Sequence, residues 1–250
     1  MEPDAYCFHR SFEPAGPTEF RTDRHYLLYA LEGTIRLEAG GRRWTLPPAR
    51  AALIAAGEPI TISILSKLVS ASVLFSPSFM PAPARALTVF DVSPLARELI
   101  AECRQWGQET SSLTSYARQI FKTLSTVALR LAETPSPCVL PAPASEGLAR
   151  ALALTEERAR GEPDFDTIAR DSGQSPRTLA RRFSEEMGMT WREALRRIRI
   201  IRAVEALAMT DASVTDICLS VGYTSLSAFN AAFRDLTGKT PTEYRASFRA

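Results

Sequence analysis

The sequence predicts an α+β chain: a small antiparallel β-sandwich or barrel with two helices, then an all-α domain in which two helix-turn-helix units are joined by a long helix. Three observations predict it. Residues 25–75 run as short apolar segments cut by turn-forming residues. Residues 165–245 contain one pattern twice. Between the two copies lies a stretch with neither proline nor glycine. At 250 residues the chain is long enough for two domains, each with its own core.

Residues 1–20 carry polar turn-formers and no clear period; Phe8, Phe12 and Phe20 lie among them, to cover a cavity or to pack on the domain. Strands are expected at 25–32, 34–39, 42–46, 51–55, 60–65 and 68–75. They are separated by Gly33, Gly40-Gly41, Pro47-Pro48, Gly57-Glu58-Pro59 and Ser66-Lys67. Strands at this spacing imply a small antiparallel sandwich or barrel. A proline-rich crossing (Pro77, Pro81, Pro83) leads to helices expected over 94–109 and 113–132. The second carries Ile120, Leu124, Val127 and Leu131 at a spacing near 3.5, a seam for packing on the barrel. Pro135, Pro137, Pro141 and Pro143 make 134–144 a semi-extended spacer with Cys138 exposed in it. The expected division is a domain over 1–133, a linker over 134–145 and a second domain over 146–250, opened by a helix at 147–160.

The first copy of the repeat reads Ile168, Gly173, Ser175, Leu179, Phe183, Gly188, Thr190 and Glu193. The second reads Ile217, Gly222, Ser225, Phe229, Phe233, Gly238, Thr240 and Glu243. The offset is 49 residues up to the first glycine and 50 after it, so the second copy has one extra residue in its turn. A fixed-period repeat defines the building unit, and two copies make a pair of modules rather than a solenoid. In the first, Phe165, Ile168 and Ala169 mark a short amphipathic helix capped by Asp164 or Asp166. Gly173 stops it, Ser175-Pro176 starts the next, and Leu179, Phe183 and Met187 give that helix a buried stripe. Two short helices about a glycine turn are a helix-turn-helix.

The outer face of its second helix carries Arg177, Thr178, Arg181 and Arg182 in i, i+4 pairs. Such a face suits the DNA major groove, where an arginine gripping guanine through two hydrogen bonds discriminates by roughly 1–3 kcal/mol; a solvated surface helix is the alternative. The second copy repeats the skeleton with Val214, Ile217, Gly222-Tyr223 and the cap Ser225. Its outer face is different: Ser227, Asn230, Ala231 and Arg234, with Ala231 standing where the first copy has Arg181. Asn230 suits adenine, and this helix is expected to supply less base specificity than the first. Residues 191–209 read as one helix, whose stretch 192–202 sets Arg192, Arg196, Arg197, Arg199 and Arg202 against a single acid, Glu193. About 18 helical residues span roughly 27 Å. With the width of the modules added, the recognition helices come near one DNA turn apart, ~34 Å. Arg196 is expected on a phosphate.

Composition places these charges in context. The net charge is only +2, but residues 170–202 hold nine arginines against Asp171, Glu185, Glu186 and Glu193, a focused patch of the kind phosphate contact needs. Cys7, Cys103, Cys138 and Cys218 are scattered, and His9 and His25 are the only histidines, so no zinc site, no other metal and no cofactor is expected. Residues 1–30 lack a basic segment followed by an apolar run, and no stretch approaches the ~18 apolar residues of a membrane helix. A cytoplasmic protein is the expectation.

The second copy, with Ile217-Cys218-Leu219-Ser220-Val221-Gly222-Tyr223, then Ser225, Ser227, Phe229, Phe233, Gly238 and Thr240-Pro241 with Tyr244-Arg245, resembles the AraC/XylS family of bacterial transcription regulators. The resemblance covers about the last 100 residues and implies a DNA-binding domain of two helix-turn-helix units on a long helix. Members often carry a basic residue where this chain has Ala231, so second-helix base contacts do not carry over directly. Residues 29–56, with their turn at Glu32-Gly33, their glycine pair and their proline pair, more weakly resemble the cupin-like sensor barrel that precedes the DNA-binding part in many members. That resemblance implies an effector-sensing or dimerising N-terminal domain, a homodimer through the second N-terminal helix, and RNA polymerase as a partner if the protein is an activator.

Catalytic cupins need clustered histidines and carboxylates, and one histidine in the barrel, His25, makes an enzyme a poor reading. The sugar-sensing pattern of the family is absent too: Ala30 and Ile60-Thr61-Ile62 stand in its place, and the barrel interior reads as apolar. Either the effector is small and hydrophobic, or the core is filled and the barrel serves only dimerisation. Ligand candidates are Arg24, His25, Tyr29, Arg36 and Trp44; Tyr29 and Trp44 also suit core or rim positions, and Arg24 and Arg36 solvated ones. DNA candidates are Ser175, Arg177, Thr178, Arg181, Arg182, Arg196, Ser225, Ser227, Asn230 and Arg234.

Overall fold

The computed structural model describes residues 3–249, with the side chains of 248 and 249 set aside. The chain divides into two units. One comprises residues 3–39, 45–136 and 246–249; the other comprises 40–44 and 137–245.

The first unit is built on a five-stranded antiparallel sheet. Its strands are β1 (Ala5–Phe12), β3 (His25–Glu32), β6 (Arg50–Ile54), β8 (Leu68–Phe75) and β9 (Leu87–Asp91), in the order β1-β8-β3-β6-β9. Central β3 pairs with β8 through Tyr26↔Leu74 and with β6 through Tyr26↔Ile54. In a second sheet β4 (Ile35–Ala39), β7 (Ile60–Ile64) and β2 (Ala15–Phe20) are antiparallel neighbours in that order. The sheets stay separate, so the expected barrel is not closed.

Side chains alternate across a strand. Leu27 and Tyr29 of β3 therefore share one face with Ala51, Leu53, Val73 and Phe75, and all are buried in the main core. Helices α1 (Pro94–Cys103) and α2 (Ser115–Ala132) close that core with Leu99, Ile100, Phe121 and Leu124. Ser93 caps α1 by accepting from the Ala96 N–H at 3.2 Å, with Pro94 at the first helical position. The helix stops at Cys103, short of the expected 109. Trp106 lies beyond it, where its carbonyl accepts the Cys7 N–H at 2.8 Å and its ring packs 5.9 Å from that of Phe121. In α2, Leu124 of the expected seam is wholly inside the core, while Ile120, Val127 and Leu131 are only half-buried.

Residues 1–20 show no period in the sequence, yet β1 and β2 lie there. β1 is buried only over Ala5, Tyr6 and Cys7, and β2 is exposed throughout. Neither strand alternates, so neither leaves a pattern in the sequence.

The second unit is helical. β5 (Arg42–Leu46) pairs with β10 (Val139–Pro141) through Leu140↔Arg43, so the expected spacer holds a strand. Cys138 beside it is buried, not exposed, because the chain is drawn into that pairing. Then come α3 (Glu146–Arg158), α4 (Phe165–Asp171), α5 (Pro176–Met187), α6 (Trp191–Met209), α7 (Val214–Ser220), α8 (Leu226–Thr237) and α9 (Pro241–Arg249). α4 is capped by Asp164, whose side chain accepts from the Thr167 N–H at 2.9 Å. Thr190 and Glu193 form a capping box at the start of α6: the Thr190 N–H donates to Glu193 at 2.7 Å and the Glu193 N–H to the Thr190 hydroxyl at 3.3 Å. Thr240 and Glu243 do the same for α9, at 2.7 and 3.3 Å. The Thr…Glu pair that ends each repeat is thus a helix start. Trp191 of α6 is anchored by its indole N–H, which donates to the buried Thr155 hydroxyl at 3.0 Å. No helix among the described residues is long and apolar enough to cross a membrane.

Candidate nucleic-acid interface

Each repeat folds as helix, glycine turn, helix. In the first, Gly173 takes φ of +74° and the Gln174 N–H donates back to the Ala169 carbonyl at 2.9 Å. Ser175 caps α5 by accepting from the Thr178 N–H at 3.2 Å. Leu179, Phe183 and Met187 bury one face of α5, and Gly188 ends it in the left-handed conformation. Arg177 and Arg181 stand exposed on the opposite face, with half-buried Thr178 beside them. Arg181 pairs with Glu185 at 2.9 Å along the same helix.

Arg182 is used differently. It donates to the Ser145 hydroxyl at 3.2 Å, at the cap of α3. Glu186 meets the same cap, accepting the Ser145 hydroxyl at 2.7 Å and the N–H groups of Ser145 and Ala144 at 2.8 and 3.0 Å. Burial pushes the Glu186 carboxyl up, but these hydrogen bonds and nearby Arg182 outweigh it and hold the group below its ordinary value.

In the second repeat Gly222 takes φ of +94° and the Tyr223 N–H donates to the Cys218 carbonyl at 3.0 Å. The extra residue lies between this glycine and Ser225, which caps α8 by accepting from the Ala228 N–H at 3.3 Å. Phe229 and Phe233 are wholly buried, with ring centres 5.8 Å apart, and Tyr244 closes on Phe233 at 5.7 Å. Ser227, Ala231 and Arg234 are exposed. Asn230 is half-buried, and its side-chain oxygen is enclosed without a hydrogen bond. It lies at the border of the outward face, between Ser227 and Arg234 along the helix.

The arginines of α6 are mostly occupied. Arg197 donates to the Val139 carbonyl at 3.1 Å, and Arg202 donates to the Glu156 carbonyl. Arg199 donates to the carbonyls of Ala159 at 2.9 Å and Gly161 at 2.6 Å, and its guanidinium sits 5.6 Å from the centre of the Tyr223 ring. Arg196 pairs with Asp235 of α8. Only Arg192 and the exposed half of Arg196 face outward from this cluster. A signal for this existed in the sequence: Ile198, Ile200 and Ile201 are all buried and point in different directions around the helix. A helix apolar all round is enclosed, and arginines set among such residues must find internal partners.

In the first unit, Tyr6, Phe8, Phe20, Arg24, Tyr26 and Leu74 help to line a hollow of about 350 Å³. Arg24 is buried, not solvated: it donates to the Pro3 carbonyl at 2.9 Å, and its guanidinium lies 5.1 Å from the centre of the Tyr6 ring. The other ligand candidates of this unit lie apart from that lining. His25 is buried and accepts the Ala56 N–H on Nδ1 at 3.0 Å, and burial pushes its imidazole pKa down. Tyr29 is in the core under the helices, its hydroxyl pushed up to about 12 by burial, and Arg36 is half-buried on β4. In the second unit, Trp44 is buried on β5, opposite Val139.

Residues 168–247 match the family model described as a helix-turn-helix domain. The transcriptional regulator NimR of Escherichia coli (strain K12) is 26% identical over 247 residues, covering 97% of this chain and 87% of that protein. The transcriptional activator RhaS of Escherichia coli (strain SMS-3-5 / SECEC) is 29% identical over 149 residues, covering 60% of this chain and 52% of that one. A crystal structure of a transcriptional regulator with an AraC-type DNA-binding domain, from Chromobacterium violaceum, is 31% identical over 40% of this chain and 89% of that chain, with a TM-score of 0.39. These relatives are regulators of transcription, not enzymes. With its paired helix-turn-helix modules on one strut, the chain belongs to the AraC/XylS family of DNA-binding transcription regulators.

Proposed function

We propose that α5 and α8 enter adjacent major grooves of a promoter, and that residues 146–250 act as the DNA-binding domain behind a linker at 134–145. One observation carries this reading: two like helices, each backed by a buried apolar stripe and joined through one strut, present Arg177 and Arg181, and Ser227 and Arg234, to solvent. Arg177 and Arg181 read bases, Ser175 and Ser225 lie at the helix starts where phosphate meets backbone N–H groups, and Arg234 holds phosphate. Arg182 supports the cap of α3 from within, and Asn230 is the second module's candidate for an adenine.

Residues 1–133 bind a small, largely apolar effector and form a homodimer along the half-buried row Ile120, Val127 and Leu131. The hollow of about 350 Å³ beside Arg24 supports the effector, since ligand sites commonly measure roughly 300–1,000 Å³. A cytoplasmic regulator is proposed, with RNA polymerase as its partner if it acts as an activator. Selection of bound sites from random duplexes, using the whole chain, tests the reading. Two half-sites about one helical turn apart are expected. A folded chain that enriches no sequence at low salt would refute it.

A further inference from the structure

The two modules carry an acid at the same place: Glu185 in α5 and Asp235 in α8, 50 residues apart. Both are well exposed, at 57% and 68% of the side chain. Each stands one helical turn beyond an outward position, filled by Arg181 in the first module and by Ala231 in the second. In α5 the acid is balanced within the helix, Arg181 meeting Glu185 at 2.9 Å. α8 has no arginine there. Asp235 is met instead by the guanidinium of Arg196, which reaches across from α6 beside a hollow lined by Arg197, Ile200, Ala232 and Leu236. The one cation of α8 itself, Arg234, lies near Glu243.

An unbalanced carboxylate on a helix that approaches DNA repels the phosphates. In the first module an arginine of the helix itself prevents this. We propose that Arg196 is a positioning residue that supplies the same balance to the second module from the strut helix, and that it aids DNA binding by neutralising Asp235, not by gripping a phosphate. The inference rests on α8 being a DNA-facing helix. It explains how the second module keeps its acid without its arginine, on a helix whose outward positions carry Ser227, Ala231 and Arg234.

The test is a double-mutant cycle in the full-length chain, with affinity for its selected duplex measured by fluorescence anisotropy over a salt series. The variants are R196A, D235N and R196A/D235N, with thermal melting of each as a folding control. Arg196 is about half exposed, 49% of its side chain, and also acts on the Tyr223 hydroxyl, so the melts separate lost stability from lost DNA affinity. R196A alone is expected to weaken binding about five- to tenfold, the effect of one uncompensated charge near phosphates. In the D235N background the same truncation is expected to cost less than about twofold, with the salt dependence restored to that of the wild type. Equal losses in both backgrounds, each with a salt slope smaller by about 0.9, would mean a direct phosphate contact and overturn the inference. So would an R196A chain that binds as the wild type does. A wild-type chain that binds no duplex would overturn the DNA-facing reading of α8 and this inference together.

Discussion

The turn glycines of the two modules occupy the same place in the repeat, but their surroundings predict different penalties for alanine. Both have positive φ, +74° at Gly173 and +94° at Gly222, where an L residue costs roughly 1–2 kcal/mol. At Gly173 the nearest atom to an added Cβ is an Arg150 guanidinium nitrogen at 3.9 Å, so the conformational penalty stands alone. At Gly222 the Cβ falls 2.6 Å from the Ala159 carbonyl oxygen and 3.0 Å from both the Arg160 oxygen and the Arg199 Nε. The two oxygens are backbone at the end of α3 and cannot rotate aside. Relief requires moving the turn, which strains the 2.9 Å bond from Arg199 to Ala159. Overpacking of this kind costs about 1–3 kcal/mol more. Gly173→Ala is therefore expected to cost about 1–2 kcal/mol and Gly222→Ala about 2–5 kcal/mol. In a unit of roughly 100 residues each kcal/mol lowers the melting temperature by about 4–8 °C. Far-UV circular dichroism melts and urea titrations of the two variants measure the difference. Equal losses would refute the close approach of the second turn to α3.

Arg181→Ala is expected to cost about 1–3 kcal/mol at the selected site and little on unrelated DNA, as measured by competition binding. Thr155→Val strands the buried Trp191 indole N–H and is expected to cost about 1–3 kcal/mol in urea unfolding, while Thr155→Ser keeps most of the stability. Hydrogen bonds from the Thr190 and Thr240 N–H and hydroxyl groups hold Glu193 and Glu243 below their ordinary pKa. The unfolded chain then binds more protons at mildly acid pH, so this stabilisation is complete above about pH 4.3 and fades as pH falls through the lowered folded values; E193Q/E243Q is expected to flatten that decline in acid-titrated urea midpoints. All four cysteines are buried, and burial pushes the Cys7 thiol up to about 12. A disulfide reagent at neutral pH is expected to label the native chain very slowly and all four thiols in urea.

The helical unit was legible because its rules are local. Serine before proline, glycine after an apolar stripe and threonine three residues before glutamate each satisfy backbone groups within one turn of the chain, so Ser175, Gly188 and Thr190 mark helix ends in the sequence as they do in space. The N-terminal unit was legible only where strands are buried. β3, β6 and β8 are enclosed on both faces and read as apolar runs. β2 contains a glycine and a proline, is exposed along its whole length, and exists because β7 offers it partners 40 (Phe20↔Ile60) to 49 (Ala15↔Ile64) residues away. No local pattern records a partner at that distance, and β10 in the proline-rich stretch was missed for the same reason.

Charge was the least legible property, although the arginines were easy to count. Residues 170–202 carry nine of them, and the count alone suggests a broad basic face. Arg182, Arg197, Arg199 and Arg202 instead donate to a serine hydroxyl or to backbone carbonyls within the fold. An arginine so bound still adds to the field at the surface, but its donors are not available to a phosphate. What distinguishes the two uses is the partner, and carbonyl partners are invisible in a charge count because every residue has one. Repeat comparison is more informative. Where Arg181 has become Ala231 while the acid one turn on remains, the lost charge must be made up from elsewhere or the module must tolerate an exposed carboxylate. Arg196 opposite Asp235 is the first of these outcomes. On the proposed reading, bases are read chiefly by α5, through Arg177 and Arg181, while α8 fits the groove with Ser227 and Ala231 and meets phosphate with Arg234. Arg181→Ala should then relax the preference for a base in one half-site, whereas Ser227→Ala should change affinity for both half-sites' variants alike.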